Sequence, residues 1–142
     1  KTWQLAANFG QPDLILKSQP YTVRSAGQDV WWRPVTETGL TEERWVRAIE
    51  VKPSHPNGRR TVHHVLTLLE QPERGVTNLA STMAHNTRMT AGLFMEWAVG
   101  KTGEIFAPDA GKLMLPGAKI RWEVHYYAVG EEIKDDVVEL GV

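Results

Sequence analysis

Two adjacent imidazoles, His63 and His64, sit inside the apolar run Thr61-Val62-His63-His64-Val65-Leu66-Thr67-Leu68-Leu69. A third, His125, follows in Trp122-Glu123-Val124-His125-Tyr126-Tyr127. Imidazole prefers water or a polar partner to apolar surroundings, so two in such a run need a reason, and a metal ion is one. Neighbours on a regular strand point to opposite faces. That geometry would make one ring a hydrogen-bonded core histidine and leave the other in solvent. A metal site instead needs both rings on one side, which a local bulge or twist supplies, and a third ligand from a strand adjacent in space. His125 qualifies as that ligand. Three neutral imidazoles suit copper, zinc or nickel, and three histidines plus water is also a catalytic zinc pattern, so the ligand type leaves the metal open.

Other candidates are weaker. Glu123 and Tyr127 share the strand face of His125, and Glu123 is either an acceptor that orients an imidazole or a plain solvent-facing carboxylate. His55 lies in the turn Pro53-Ser54-His55-Pro56-Asn57-Gly58 and reads as a surface histidine. His85, with Met83 and Met89 nearby, occupies a polar stretch; a copper site could use such a thioether, and a solvent-exposed cluster is the simpler reading. The six tryptophans, Trp31-Trp32 among them, either line a sugar site or pack in the core and at its rim. The sequence has no Gly-x-Ser-x-Gly, no phosphate-cradling glycine loop and no His-Glu-x-x-His.

The elements that must position these groups read as strands. Asp13 to Lys17, Tyr21 to Arg24, Asp29 to Val35, Arg44 to Lys52, Arg60 to Glu70, Ala118 to Val129 and Val137 to Val142 are short, rich in β-branched, aromatic and aliphatic residues, and bounded by turn signals. Ile120, Trp122, Val124, Tyr126 and Ala128 alternate with Arg121, Glu123, His125 and Tyr127. One strand face is therefore apolar, and the other carries His125. Residues 71 to 92 read as a long polar loop with room for one helical turn. Thr41-Glu42-Glu43 could open another turn but leads straight into a strand-like run. The pattern predicts an all-β, jelly-roll-like antiparallel β-sandwich in a single domain.

The bulk properties narrow the function classes. A chain of 142 residues fits one domain and can bury a core without covalent staples. The absence of cysteine removes disulfides, thiolate nucleophiles and cysteine–metal sites. A net charge of -1 without a dense basic cluster predicts no nucleic-acid binding. No apolar run approaches about 18 residues, so no membrane span is expected. A start at Lys1 rather than Met is read as a processed or excised chain.

The blocks Thr61-Val62-His63-His64-Val65-Leu66, Leu93-Phe94-Met95-Glu96-Trp97-Ala98, Leu115-Pro116-Gly117-Ala118 and Glu123-Val124-His125-Tyr126, in this order, resemble the N-terminal domain of the copper type II, ascorbate-dependent monooxygenases. That group includes peptidylglycine α-hydroxylating monooxygenase and dopamine β-monooxygenase. Gly10-Gln11-Pro12-Asp13-Leu14 and the run Trp45 to Pro53 resemble its bacterial relatives. The resemblance covers most of residues 1–142. It implies that His63, His64 and His125 ligate a single electron-transfer copper reduced by ascorbate or a similar small-molecule reductant. It also implies a second copper domain, in the same or a longer chain, that activates oxygen through a His-x-His pair and a methionine. This sequence has no His-x-His, so the resemblance implies half of a monooxygenase, one that should not hydroxylate a C–H bond alone. Glu123 stands where the family is expected to have glutamine, and a nearby carboxylate would favour the more positive Cu(II) state. The animal members' disulfides are absent, which fits an exported bacterial domain in the periplasm or outside the cell. Two rival expectations stand beside this one. One is a stand-alone copper or zinc protein, either a metal carrier or a small metallohydrolase. The other is a metal-free interaction or carbohydrate-binding sandwich using Trp31, Trp32 or Trp122.

Overall fold

The structure, a computed structural model, describes residues 2–56, 58–71 and 92–142. The described chain is an antiparallel β-sandwich of open sheets. One sheet runs in the order β1 (Ile15–Lys17), β13 (Val138–Gly141), β6 (Ala48–Pro53), β9 (Gly103–Ile105). The other runs β3 (Val30–Trp32), β11 (Lys119–Tyr126), β7 (Val62–Glu70), β8 (Leu93–Ala98), with β4 (Val35–Glu37) also paired to β11. Two strand pairs complete the fold: β5 (Arg44–Val46) with β10 (Lys112–Met114), and β2 (Tyr21–Val23) with β12 (Ile133–Asp136). Two four-residue helices, α1 (Ala6–Phe9) and α2 (Gly58–Thr61), flank them. Among the described residues, no helix is long and apolar enough to cross a membrane.

The inner faces of the two main sheets meet in one core. β6 and β13 contribute Ile49, Val51, Val138 and Leu140; β7, β8 and β11 contribute Val62, Val65, Phe94, Ile120, Trp122, Val124 and Tyr126. The even-numbered residues of β11 are all fully buried, as the period-two pattern predicts. The buried indole of Trp122 satisfies its N–H by donating to Thr36 Oγ1 at 3.0 Å, and Tyr126 donates its hydroxyl to the buried Asp136 carboxylate at 2.8 Å. Both polar tips are thereby spared the cost of burial without a partner.

Several boundaries differ from the sequence expectation, each for a local reason. The run expected as one strand over 29 to 35 is two strands, β3 and β4, on the same edge of β11. Pro34 separates them: it has no N–H for the ladder, and its carbonyl accepts from Trp122 N instead. β8 escaped a period-two reading because the register shifts between Thr67 and Leu68, so that Phe94 and Met95 are both buried in succession. β9 and β10 are three residues each, too short to carry a pattern, and β12 is only four. Residues 41 to 43 form no helix. Of the polar loop expected at 71 to 92, residues 72 to 91 lie outside the described residues, His85, Met83 and Met89 among them.

Candidate metal centre

The two adjacent histidines face the same way because β7 carries a bulge. Opposite β11, His64 pairs with His125 and Val62 pairs with Tyr126, so one step on β11 spans two on β7 and His63 is the extra residue. The burial sequence shows the effect: Val62 and Val65 are fully buried, while His63 and His64 between them both turn outward. A regular strand would have sent one of the two rings into the core.

A row of cross-strand neighbours then sets out the site. Trp31 on β3 lies opposite His125 on β11, which lies opposite His64 on β7, which lies opposite Ala98 on β8. The Trp31 ring stacks on His125 with centroids 4.5 Å apart and planes within 3°, and meets His64 edge-on at 4.9 Å. His63, displaced by the bulge, reaches across to His125, and the two Nδ1 atoms lie 3.2 Å apart. One ligating nitrogen from each of His63, His64 and His125 falls within 4.8 Å of the others, and this is the one such group of three among the described residues. The three rings could therefore hold a metal ion.

The spacing suits such an ion. Two nitrogens bound to one tetrahedral ion at about 2.0–2.1 Å lie about 3.3–3.4 Å apart, which the His63–His125 pair already approximates. The charge state suits it too. Burial first, then the neighbouring His125 and His63, hold His64 below the ordinary imidazole pKa, with Glu96 and Glu123 opposing more weakly. A ring that resists protonation keeps its lone pair for a ligand.

Asp29 fixes the third ring. Its Oδ2 lies 3.0 Å from His125 Nε2. An ionised carboxylate can only accept, so Nε2 carries the proton and Nδ1 presents its lone pair to the cluster. Sequence reasoning missed this residue. It is 96 positions from its partner, on an exposed loop, with no local signal. Glu123, the acceptor considered from sequence, does something else: its Oε1 pairs with Arg33 Nε at 3.3 Å. The Arg33 guanidinium in turn lies 5.8 Å from the Trp31 ring. The Tyr127 ring stands nearly perpendicular to that of His63, with centroids 5.8 Å apart. His55, in the bend after β6, lies outside the group of three.

The tryptophans divide. Trp122 is fully buried and offers no contact surface for a sugar, whereas Trp31 is 41% exposed but its face is occupied by His125. A cavity of about 310 Å³ lies between the N-terminal segment and the β5–β6 region, and none of the histidines lines it. No protein-family model matches the chain, and comparison with curated proteins gives no significant match.

Proposed function

We propose that His63, His64 and His125 bind one copper ion, and that the chain is the electron-transfer half of a copper-dependent, ascorbate-type monooxygenase. The observation that carries the metal is the bulge at His63, which turns two adjacent rings to one face and brings Nδ1 of His63 to 3.2 Å from Nδ1 of His125. Copper in particular, and the monooxygenase context, are supported by the order of the sequence blocks that resemble that family. When bound, copper would exchange single electrons with a small-molecule reductant such as ascorbate and with a second copper domain, in the same or a longer chain.

The chain's own groups prepare the site for that role. Asp29 holds the proton of His125 on Nε2, and so aims Nδ1 inward. Trp31 covers one face of the His125 ring and keeps it from rotating. The exposed His63 leaves the solvent side open for a small ligand or an incoming electron donor.

The test is an anaerobic titration of the copper-loaded chain with ascorbate, followed by electron paramagnetic resonance. The expected outcome is loss of one Cu(II) signal per chain, and no hydroxylation of added substrate once oxygen is admitted. A chain that prefers zinc, hydrolyses an activated ester and holds no reducible copper would overturn the proposal in favour of a stand-alone zinc hydrolase.

A further inference from the structure

The cavity of about 310 Å³ between the N-terminal segment and the β5–β6 region has firmly seated walls. The segment is pinned to the sheet at two points. At the first, the amides of Gln4 and Leu5 donate to the two carboxylate oxygens of the buried Glu50, at 2.9 Å each. At the second, the amides of Asp13 and Leu14 donate to Val142 O at 2.8 and 3.1 Å. Beside these anchors, Trp3 and Pro12 press so closely on Gly141 that a Cβ there would meet them at 2.9 and 2.8 Å. Phe9, at the end of α1 between the anchors, lines the cavity from the segment. Trp45 of β5 and Arg47, the residue between β5 and β6, line it from the sheet.

The lining is mainly apolar. Val46 and Met114 are buried in it, while Trp45 is 70% exposed and Phe9 is exposed too. Two open aromatic rings beside an apolar hollow of this volume are the pattern of a small-molecule site. Four charged side chains border it, and they differ in what they are free to do. Glu50 has both oxygens on the N-terminal amides, and Arg44 pairs with Glu42 at 3.0 Å. Asp13 is an exposed carboxylate on the N-terminal wall. Arg47 is positioned to hold an anion. Its Nε donates to Phe106 O at 3.1 Å, Phe106 N donates back to Arg47 O at 2.8 Å, and its guanidinium lies 5.6 Å from the Phe9 ring. Among the described residues, neither Nη group takes part in a hydrogen bond or ion pair. The outer fork of the guanidinium is therefore available, and that edge takes a carboxylate through two parallel hydrogen bonds.

We propose that this cavity binds a small monocarboxylate with a compact apolar body, the body packed against Trp45, Phe9 and Met114 and the carboxylate forked onto Arg47. The volume is roughly ten times the share of one water in the liquid, which suits a fused aromatic pair or an aliphatic body of similar size. Asp13 opposes a second negative charge, so a monoanion fits better than a dianion. The site stands apart from the three histidines, none of which lines it, and does not depend on the ion they would hold.

The test titrates the metal-free chain with 1-naphthoate and, in parallel, with the uncharged 1-naphthamide, followed by NMR. Naphthoate should bind saturably, one per chain, with shifts centred on Phe9, Trp45, Arg47 and Met114. Naphthamide should bind about tenfold more weakly, the factor that a charge-assisted hydrogen bond supplies. Arg47→Gln should bind both probes alike, at the naphthamide level, and Arg47→Lys should keep part of the preference for naphthoate. Trp45→Ala should weaken both probes by the same factor. Asp13→Asn should bind naphthoate as well as the unaltered chain or better. Equal binding of the two probes by the unaltered chain would overturn the role of Arg47 without recourse to any variant. Loss of naphthoate binding in Asp13→Asn would overturn the choice of an anion. Absence of saturation would overturn the site itself. So would dimerisation of the chain through Trp45 that shuts naphthoate out, since a second copy would then be the occupant.

Discussion

Removing the Asp29 carboxylate is expected to weaken metal binding without disturbing the fold. Asp29 Oδ2 lies 3.0 Å from His125 Nε2, and through that contact it sets which nitrogen of His125 faces the cluster. Substitution of such a supporting group typically costs 10- to 100-fold in metal affinity. Two features decide where in that range Asp29→Ala falls. The His125 side chain is only 12% exposed, which preserves the effect of the contact on the ring, but the Asp29 side chain is 58% exposed, so solvent screens it and can replace it. The low end follows, about tenfold, or about 1.4 kcal/mol. Asp29→Asn keeps an acceptor and should lose only part of this. The assay is copper competition against a chelator of known affinity, with the melting temperature of the metal-free chain as a control. Away from the ring, an exposed loop position should move stability by no more than about 0.5 kcal/mol. An unchanged copper affinity in Asp29→Ala would refute the role given to Asp29. A loss as large as that of His125→Ala would refute it differently, because Asp29 would then be acting as a ligand.

Deleting His63 should remove the bulge and let Val62, His64 and Val65 resume in–out–in alternation, so the sandwich is expected to fold with near-unchanged denaturant stability while copper affinity collapses; loss of the fold would show that the bulge serves the sheet rather than the site. Because burial and the neighbouring rings hold His64 below the ordinary value of about 6.5, the unfolded chain binds its proton first as pH falls through that value. The metal-free fold should therefore lose stability over that window, and His64→Gln should lessen the loss; denaturant midpoints at pH 7.5 and 5.5 for both chains measure the difference, and an equal loss in both would count against the assigned cause. Tyr126 is shifted the other way, far upward, by burial first and then by Asp136. Its contribution is complete below about pH 10 and declines as pH rises beyond it. Tyr126→Phe should cost about 2 kcal/mol at neutral pH and flatten that alkaline decline, both read from denaturant curves.

Much of the architecture could be read from side-chain alternation. β11 carries its apolar residues at even positions and His125 at an odd one, and that alone put His125 on the outer face. The bulge at His63 leaves a fainter trace, since apolar–polar–polar–apolar over Val62 to Val65 is what an inserted residue does to alternation, yet the same four residues also fit one buried and one exposed ring. What sequence could not reach depends on contacts between distant residues. Asp29 meets His125, and Trp31 acquires its stacking partner, only after β3 docks on β11. Glu123 shares a strand face with His125, which left it either an acceptor for an imidazole or a solvent-facing carboxylate, and Arg33 is close enough to claim it. Pro34 split a strand that composition joined, and the consecutive buried Phe94 and Met95 hid β8 from any two-residue period.

The central claim is that three histidines on one face of the sheet hold one metal ion, and copper titration followed by electron paramagnetic resonance tests it most directly. The account expects one Cu(II) per chain with nitrogen hyperfine structure from imidazole ligands, weakened in each of His63→Ala, His64→Ala and His125→Ala and untouched in His55→Ala. Unchanged stoichiometry and spectrum in all three ligand variants would contradict it.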